Sequence, residues 1–376
     1  MGNNIMQRII INFCPICSEK ISLYPEKVDG SVFRSHGENA FYSSTPTDTE
    51  FAATIQEWHS TARLITKFPE NLWRLAAINK AFRFYVTEHF KDFGLDLQKQ
   101  ILTSHQWDRV TTGLFARVNL MGSDLTSISS IRSSIPLAEG LINLSLNSCI
   151  LPAERFLSQL VSGIPTLRYL SLAGVQVTTN HIFELSSSLR ESQPHQLSEL
   201  NLSYVCYEGL NNSAGNILLW ELGSSQNVKV LYLLNNRLTS EQIVCFSQSI
   251  RHGLNSPLEV LDLSENMIEK GLKFLAAIHP RLCALKKLIL TSNSIDDQSA
   301  QVLARVLLQF SNLKYLALSE NPLTRASGGD LIKFIRQHPA QPIFLSPFEG
   351  DEYEALVHAL SREERERVMS ASDSLM

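Results

Sequence analysis

The sequence predicts an α/β solenoid: a parallel sheet on the concave inside of a horseshoe, helices on the convex outside, and a small helical N-terminal domain. Two observations predict the array. One pattern, apolar-x-x-apolar-x-apolar, recurs eight times, with first positions at Phe115, Leu141, Leu167, Leu197, Val228, Leu258, Leu285 and Leu313. These starts lie 26 to 31 residues apart, which leaves room for a short strand, two loops and about three helical turns per unit. The stretches between them carry apolar residues at helical spacing, as in Ser299–Phe310 and Ser240–Ile250, with Thr239 or Ser240 placed to cap the latter.

Within each strand the second and third apolar residues are two apart, so both point at the helices. Residues 141–151, LINLSLNSCIL, and 258–268, LEVLDLSENMI, show the full unit. Asn236, Asn266, Asn293 and Asn321 occupy the turn, where an amide side chain can bond backbone groups left open at the strand end. Earlier units place Cys149, Val175 or Val205 there, and less regular turns are expected of them. The spacing resembles the leucine-rich repeat consensus, and the long units resemble its ribonuclease-inhibitor-like class over about 115–325. The shorter units of a bacterial ubiquitin-ligase family do not fit, and no cysteine is followed two places later by that family's aspartate.

Length and charge narrow the function classes. The chain has 376 residues, 44% of them apolar, and a formal net charge of −4. A solenoid can exceed the size of one compact domain because each repeat packs only on its neighbours. Mild acidity argues against nucleic acid as a partner. No apolar stretch reaches the length of a membrane span, and the N-terminus lacks a cleavable leader pattern. Six cysteines are scattered through the chain; four fall inside repeat patterns and read as buried thiols in a reducing compartment.

The expected organisation is a hairpin and loop region over 1–50, a helical cap over 51–110, about eight repeats over 111–345, and a C-terminal capping helix over 346–376. Arg8–Phe13 and Lys20–Tyr24 are the expected hairpin strands, and 28–50 reads as loop. Cys14 and Cys17 have the spacing of half a zinc site but no second pair, so no metal is assigned. Phe68–Val86, FPENLWRLAAINKAFRFYV, resembles the second half of an F-box, which implies a ubiquitin-ligase subunit as partner. The plainer expectation is a cap over the apolar end of the first repeat. The charged run Glu363-Glu364-Arg365-Glu366, followed by small and polar residues, resembles the export signal of Dot/Icm type IV secretion substrates. Together with the repeats, it makes the chain similar to leucine-rich repeat effectors of Legionella. That resemblance implies delivery into a host cell's cytoplasm and a host protein as partner. A Ran-activating family shares the repeat class, which opens GTPase regulation as a weaker alternative.

No catalytic or cofactor motif is present: no G-x-S-x-G, no P-loop, no H-E-x-x-H. His181, His195, His252, His279 and His338 are expected at helix C-termini or facing solvent. Asp296-Asp297 suits the positive end of a helix. The informative positions are those between the apolar ones, which face away from the helices. Val230, Tyr232, Leu234 and Val260 form an apolar–aromatic patch, with Tyr169, Asn201, Tyr204 and Asp262 around it. Tyrosine is a frequent binding anchor, so these eight residues are the candidate partner site. The sequence thus points to a non-enzymatic protein-binding module.

Overall fold

A strand whose residues alternate in direction needs a partner on each edge and an apolar layer on one face. The repeat unit supplies both. The computed structural model describes residues 34–36, 39–41, 358 and 361–362. Between 94 and 337 it describes all but 97, 105–106, 108–116, 129–140, 153–154, 192–195, 206–209, 253–254, 274–278 and 308–309.

Strands β1 (Arg34–His36) and β2 (Asn39–Phe41) form an antiparallel pair, Arg34 opposite Phe41. They fall in the stretch expected to be loop. The two residues between them, Gly37 and Glu38, have the length and composition that close hairpins, a signal the sequence reading passed over. The hairpin expected over residues 8–24, most of the expected helical cap with its F-box-like stretch, and the Cys14–Cys17 pair lie outside the described residues. So does nearly all of the expected C-terminal helix.

A nine-stranded sheet then runs in strict sequence order. Its strands are β3 (Gly94–Asp96), β4 (Arg117–Asn119), β5 (Asn143–Ser145), β6 (Tyr169–Ser171), β7 (Glu199–Asn201), β8 (Val230–Tyr232), β9 (Val260–Asp262), β10 (Lys287–Ile289) and β11 (Tyr315–Ala317). Every pairing is parallel and in register. β4 to β11 sit in the eight units expected. β3 is an additional strand inside the stretch assigned to the helical cap. Its unit, Leu95-x-Leu97 followed by Leu102, was legible but lacks an apolar first position, which is Asp92. The fold is the expected leucine-rich repeat solenoid.

Among the described residues, six α-helices lie between or after the strands: α1 (Phe156–Gly163), α2 (Thr179–Glu191), α3 (Ser213–Ser224), α4 (Ser240–His252), α5 (Asp297–Leu307) and α6 (Arg325–Gln337). Between β9 and β10 the described residues include short 3₁₀ segments at Glu269–Gly271 and His279–Arg281. Local chemistry sets the helix starts. Thr239 caps α4 in a reciprocal box: its Oγ1 accepts from the Glu241 N–H, and its own N–H donates to Gln242 Oε1 at 3.1 Å. Asn212 caps α3 through the Gly215 N–H at 2.9 Å. Asp296 caps α5 through the Ser299 N–H at 2.8 Å, and that bonding holds its carboxyl below the usual range.

The core is one continuous layer of aliphatic side chains from Leu102 to Leu331, including the paired strand positions Leu200 and Leu202, Leu231 and Leu233, Leu261 and Leu263. In most strands the central residue is buried and its two flanks are half-buried. Two sequence expectations fail within this layer. His181 is buried in the first turn of α2, where Nδ1 accepts from the Thr178 N–H and Nε2 reaches the Pro152 carbonyl at 2.7 Å. Both ring nitrogens are thus satisfied without solvent. Among the described cysteines, Cys149 is fully buried, Cys245 is half-buried and Cys283 is exposed on the loop leading to β10.

The turns are more uniform than expected. The residue before the turn position has positive φ in every described unit: Lys99, Gly122, Ser148, Gly174, Tyr204, Asn235, Glu265, Ser292 and Glu320. At Gly174 a side chain would also meet Ser148 Oγ at 2.9 Å. Units with cysteine or valine at the turn keep this geometry, so they are not less regular. Cys149 reproduces part of the asparagine bonding, since its Sγ lies 2.9 Å from the Leu120 carbonyl. Asn236 Nδ2 donates to the corresponding Leu202 carbonyl at 2.7 Å. A thiol is a weak donor, but it points the same way.

Candidate interaction surface

The two flanking positions of each strand build two rows across the concave face. Strand register fixes the neighbours. One row runs Asn143, Tyr169, Glu199, Val230, Val260, Lys287, Tyr315. The other runs Ser145, Ser171, Asn201, Tyr232, Asp262, Ile289, Ala317. Adjacent members are about 4.8 Å apart, so side chains two strands away come within reach of a tyrosine.

Of the eight candidate residues, Tyr169, Asn201, Val230, Tyr232, Val260 and Asp262 fall in these rows and are half-buried. Tyr232 is the centre. Burial pushes its phenol above the ordinary value, and the charges of Glu199 and Asp262, with the Tyr169 phenol, push the same way. Glu199 is the member the sequence reading missed. Its carboxyl is raised by burial, and it stands in the same row as Tyr169 and Val230. The signal was its repeat position, which the search for apolar and aromatic residues passed over.

Asn201 and Asp262 also have local tasks. Asn201 Oδ1 accepts from the Ser203 N–H, and Asp262 Oδ1 accepts from the Ser264 N–H, each at 2.9 Å. These side chains close the strand end while remaining on the open face. Leu234 lies beyond β8 and is half-buried. Tyr204 belongs elsewhere. It occupies the positive-φ column at the turn, φ 56°, and its hydroxyl donates to the Glu265 carboxylate at 3.1 Å, two units along. Asn235 Nδ2 donates to the same carboxylate at 2.6 Å. Tyr204, Asn235 and Glu265 therefore form a turn-side cluster, not an extension of the Tyr232 patch. The Tyr204 phenol is raised by burial and then by Glu265.

At the far end of the face, Lys287 Nζ stands 4.3 Å from the centre of the Tyr315 ring. That is a cation–π contact. The lysines flanking the rows are engaged by one carboxylate: Glu259 lies 2.5 Å from Lys286 Nζ and 4.0 Å from Lys229 Nζ. Among the described residues, no three metal-binding side chains come together, and no helix is long and apolar enough to cross a membrane. The arrangement offers an ordered face of aromatic, apolar and acidic groups.

No protein-family model matches the chain. The human NACHT, LRR and PYD domains-containing protein 5 is 31% identical over 185 residues, which is 48% of this chain and 13% of that protein. The fold shared in kind is the leucine-rich repeat solenoid described above. The chain spans only a small part of that relative's length. Two solved structures share 16% identity with it. Human 5T4 (Wnt-activated inhibitory factor 1, trophoblast glycoprotein) gives a TM-score of 0.45, covering 73% of this chain and 94% of its own. Leiomodin-1 actin-binding site 2 gives 0.34, covering 40% of this chain and 88% of its own.

Proposed function

We propose that this leucine-rich repeat protein is a non-enzymatic binding module, and that it holds a protein partner on the concave face around Tyr232. One observation carries the reading. Two tyrosines, Tyr169 and Tyr232, and two valines, Val230 and Val260, stand in registered positions across β6 to β9 of the parallel sheet, half-buried. A chain that only needed to fold would gain little from such a cluster. The charged run 363–366, ahead of a small and polar tail, supports the finer reading of a secreted bacterial effector. In that reading a type IV system delivers it to the host cytoplasm, and the partner is a host protein.

The test is capture of partner from host lysate by the wild-type chain and by Tyr232→Ala. Loss of a central aromatic anchor commonly costs about 2 kcal/mol or more, so the variant is expected to bind at least about tenfold more weakly. Its melting temperature should change little, because the ring lies outside the leucine layer. Undiminished capture by Tyr232→Ala would remove the concave face from the proposal. Capture of ligase subunits through residues 51–90 would favour an F-box-like adaptor instead.

A further inference from the structure

We infer that the concave face recognises an arginine side chain of its protein partner, seated on the Tyr232 ring between the Glu199 and Asp262 carboxylates. The inference rests on the concave-face reading and adds the chemistry of what is bound. The geometry comes from the register. Asp262 on β9 is in register with Tyr232 on β8, and Glu199 on β7 is its diagonal neighbour, level with Val230, so the two acids lie on opposite sides of the Tyr232 strand with backbones about 12 Å apart. Both are electrostatically coupled to the Tyr232 phenol.

The charge on this part of the face is uncompensated. In the two rows from β6 to β9, Glu199 and Asp262 are the charged residues, and neither carries an ion pair among the described residues. Three nearby lysines have partners elsewhere: Lys229 and Lys286 at Glu259, and Lys287 at the Tyr315 ring. Asp262 uses Oδ1 for Ser264, which leaves Oδ2 to an incoming donor. The Lys287–Tyr315 contact shows that this face already holds one cation against a tyrosine. Tyr232 has the same setting with two acids added and no cation of its own.

Arginine fits better than lysine. Its planar guanidinium can lie on a phenol ring while its N–H groups reach carboxylates on both sides. A lysine ammonium is a more strongly hydrated point charge and cannot do both. The valines Val230 and Val260, beside the ring in the other row, suit the aliphatic stem of such a side chain.

The test uses the full chain and an unstructured Gly/Arg peptide, with its Gly/citrulline twin as the neutral isostere, in isothermal titration calorimetry. The Gly/Arg peptide is expected to bind, and the citrulline twin to bind at least about tenfold more weakly. Glu199→Gln combined with Asp262→Asn should weaken the Gly/Arg peptide by a similar factor. Glu241→Gln, an exposed acid on α4, should change it less than about twofold. Asparagine retains an acceptor for Ser264, and circular dichroism of the double variant confirms the fold. Equal binding of the two peptides, no binding of either, or an equal loss in Glu241→Gln overturns the inference. Partner capture that needs Tyr232 but survives the double acid substitution also overturns it, while leaving the concave-face reading intact.

Discussion

Leu263→Ala is expected to lower the stability of the array by about 2–5 kcal/mol, read as a shift of the denaturant midpoint. Leu263 is fully buried, as are Leu233 before it and Leu290 after it in the same repeat position. It is therefore enclosed from both sides along the solenoid as well as from the helices. Removing its branched end leaves a cavity that rigid flanking strands cannot collapse, which puts the cost in the upper part of the range for such substitutions. A solenoid transmits that loss only to its neighbours, so the transition should also broaden. An unchanged midpoint would mean that the inward register assigned to β9 is wrong.

Asn266→Ala should cost at least about 3 kcal/mol, although it removes a polar side chain. Asn266 is buried and bonded on every side. Its Nδ2 donates to the carbonyls of Leu233, Leu263 and Ser264, and its Oδ1 accepts from the N–H groups of Asn236 and Leu238. Alanine would orphan these backbone groups where solvent enters poorly, and each unmade bond costs about 1–3 kcal/mol. Asn321 makes an equivalent set but is half-buried at the end of the described array. Water can replace its bonds, so Asn321→Ala should cost clearly less. Equal losses in the two variants, measured by the same unfolding experiment, would show that burial does not set the cost.

The array was legible because its two requirements have separate signatures in sequence: leucines for the inward layer and asparagines for the turn. Both are local and repeat, so one misplaced residue cannot hide the register. β3 escaped because its unit opens on Asp92, and the 34–41 hairpin because its strands lack apolar alternation. The site was less legible. Tyr232 could be placed from spacing alone. Glu199 could not be singled out, since its importance comes from the residues that register brings beside it. The place of Tyr204 at the turn was hidden for a related reason. Spacing put it near the concave rows, but its backbone has positive φ, and sequence pattern does not report that for a residue other than glycine. Cys149 shows that residue type misled as well, because its thiol donates where a small apolar residue was assumed.

The asparagine turns divide the molecule mechanically. From Asn236 onward, side-chain bonds tie each unit to the one before it. At Val175 and Val205 the turn side chains supply no donor. Slow opening should therefore start on the N-terminal side and stop near β8. The candidate site straddles that frontier, with Tyr169 and Glu199 on the looser side and Tyr232 and Asp262 on the tied one. A ligand gripping both sides would act as a further staple, restraining motion well beyond its own footprint. In amide hydrogen exchange, β5 to β7 should exchange faster than β8 to β10 in the free protein and slow most when the face is occupied. A flat protection profile in the free protein would mean that the backbone ladder alone makes the array uniformly stiff.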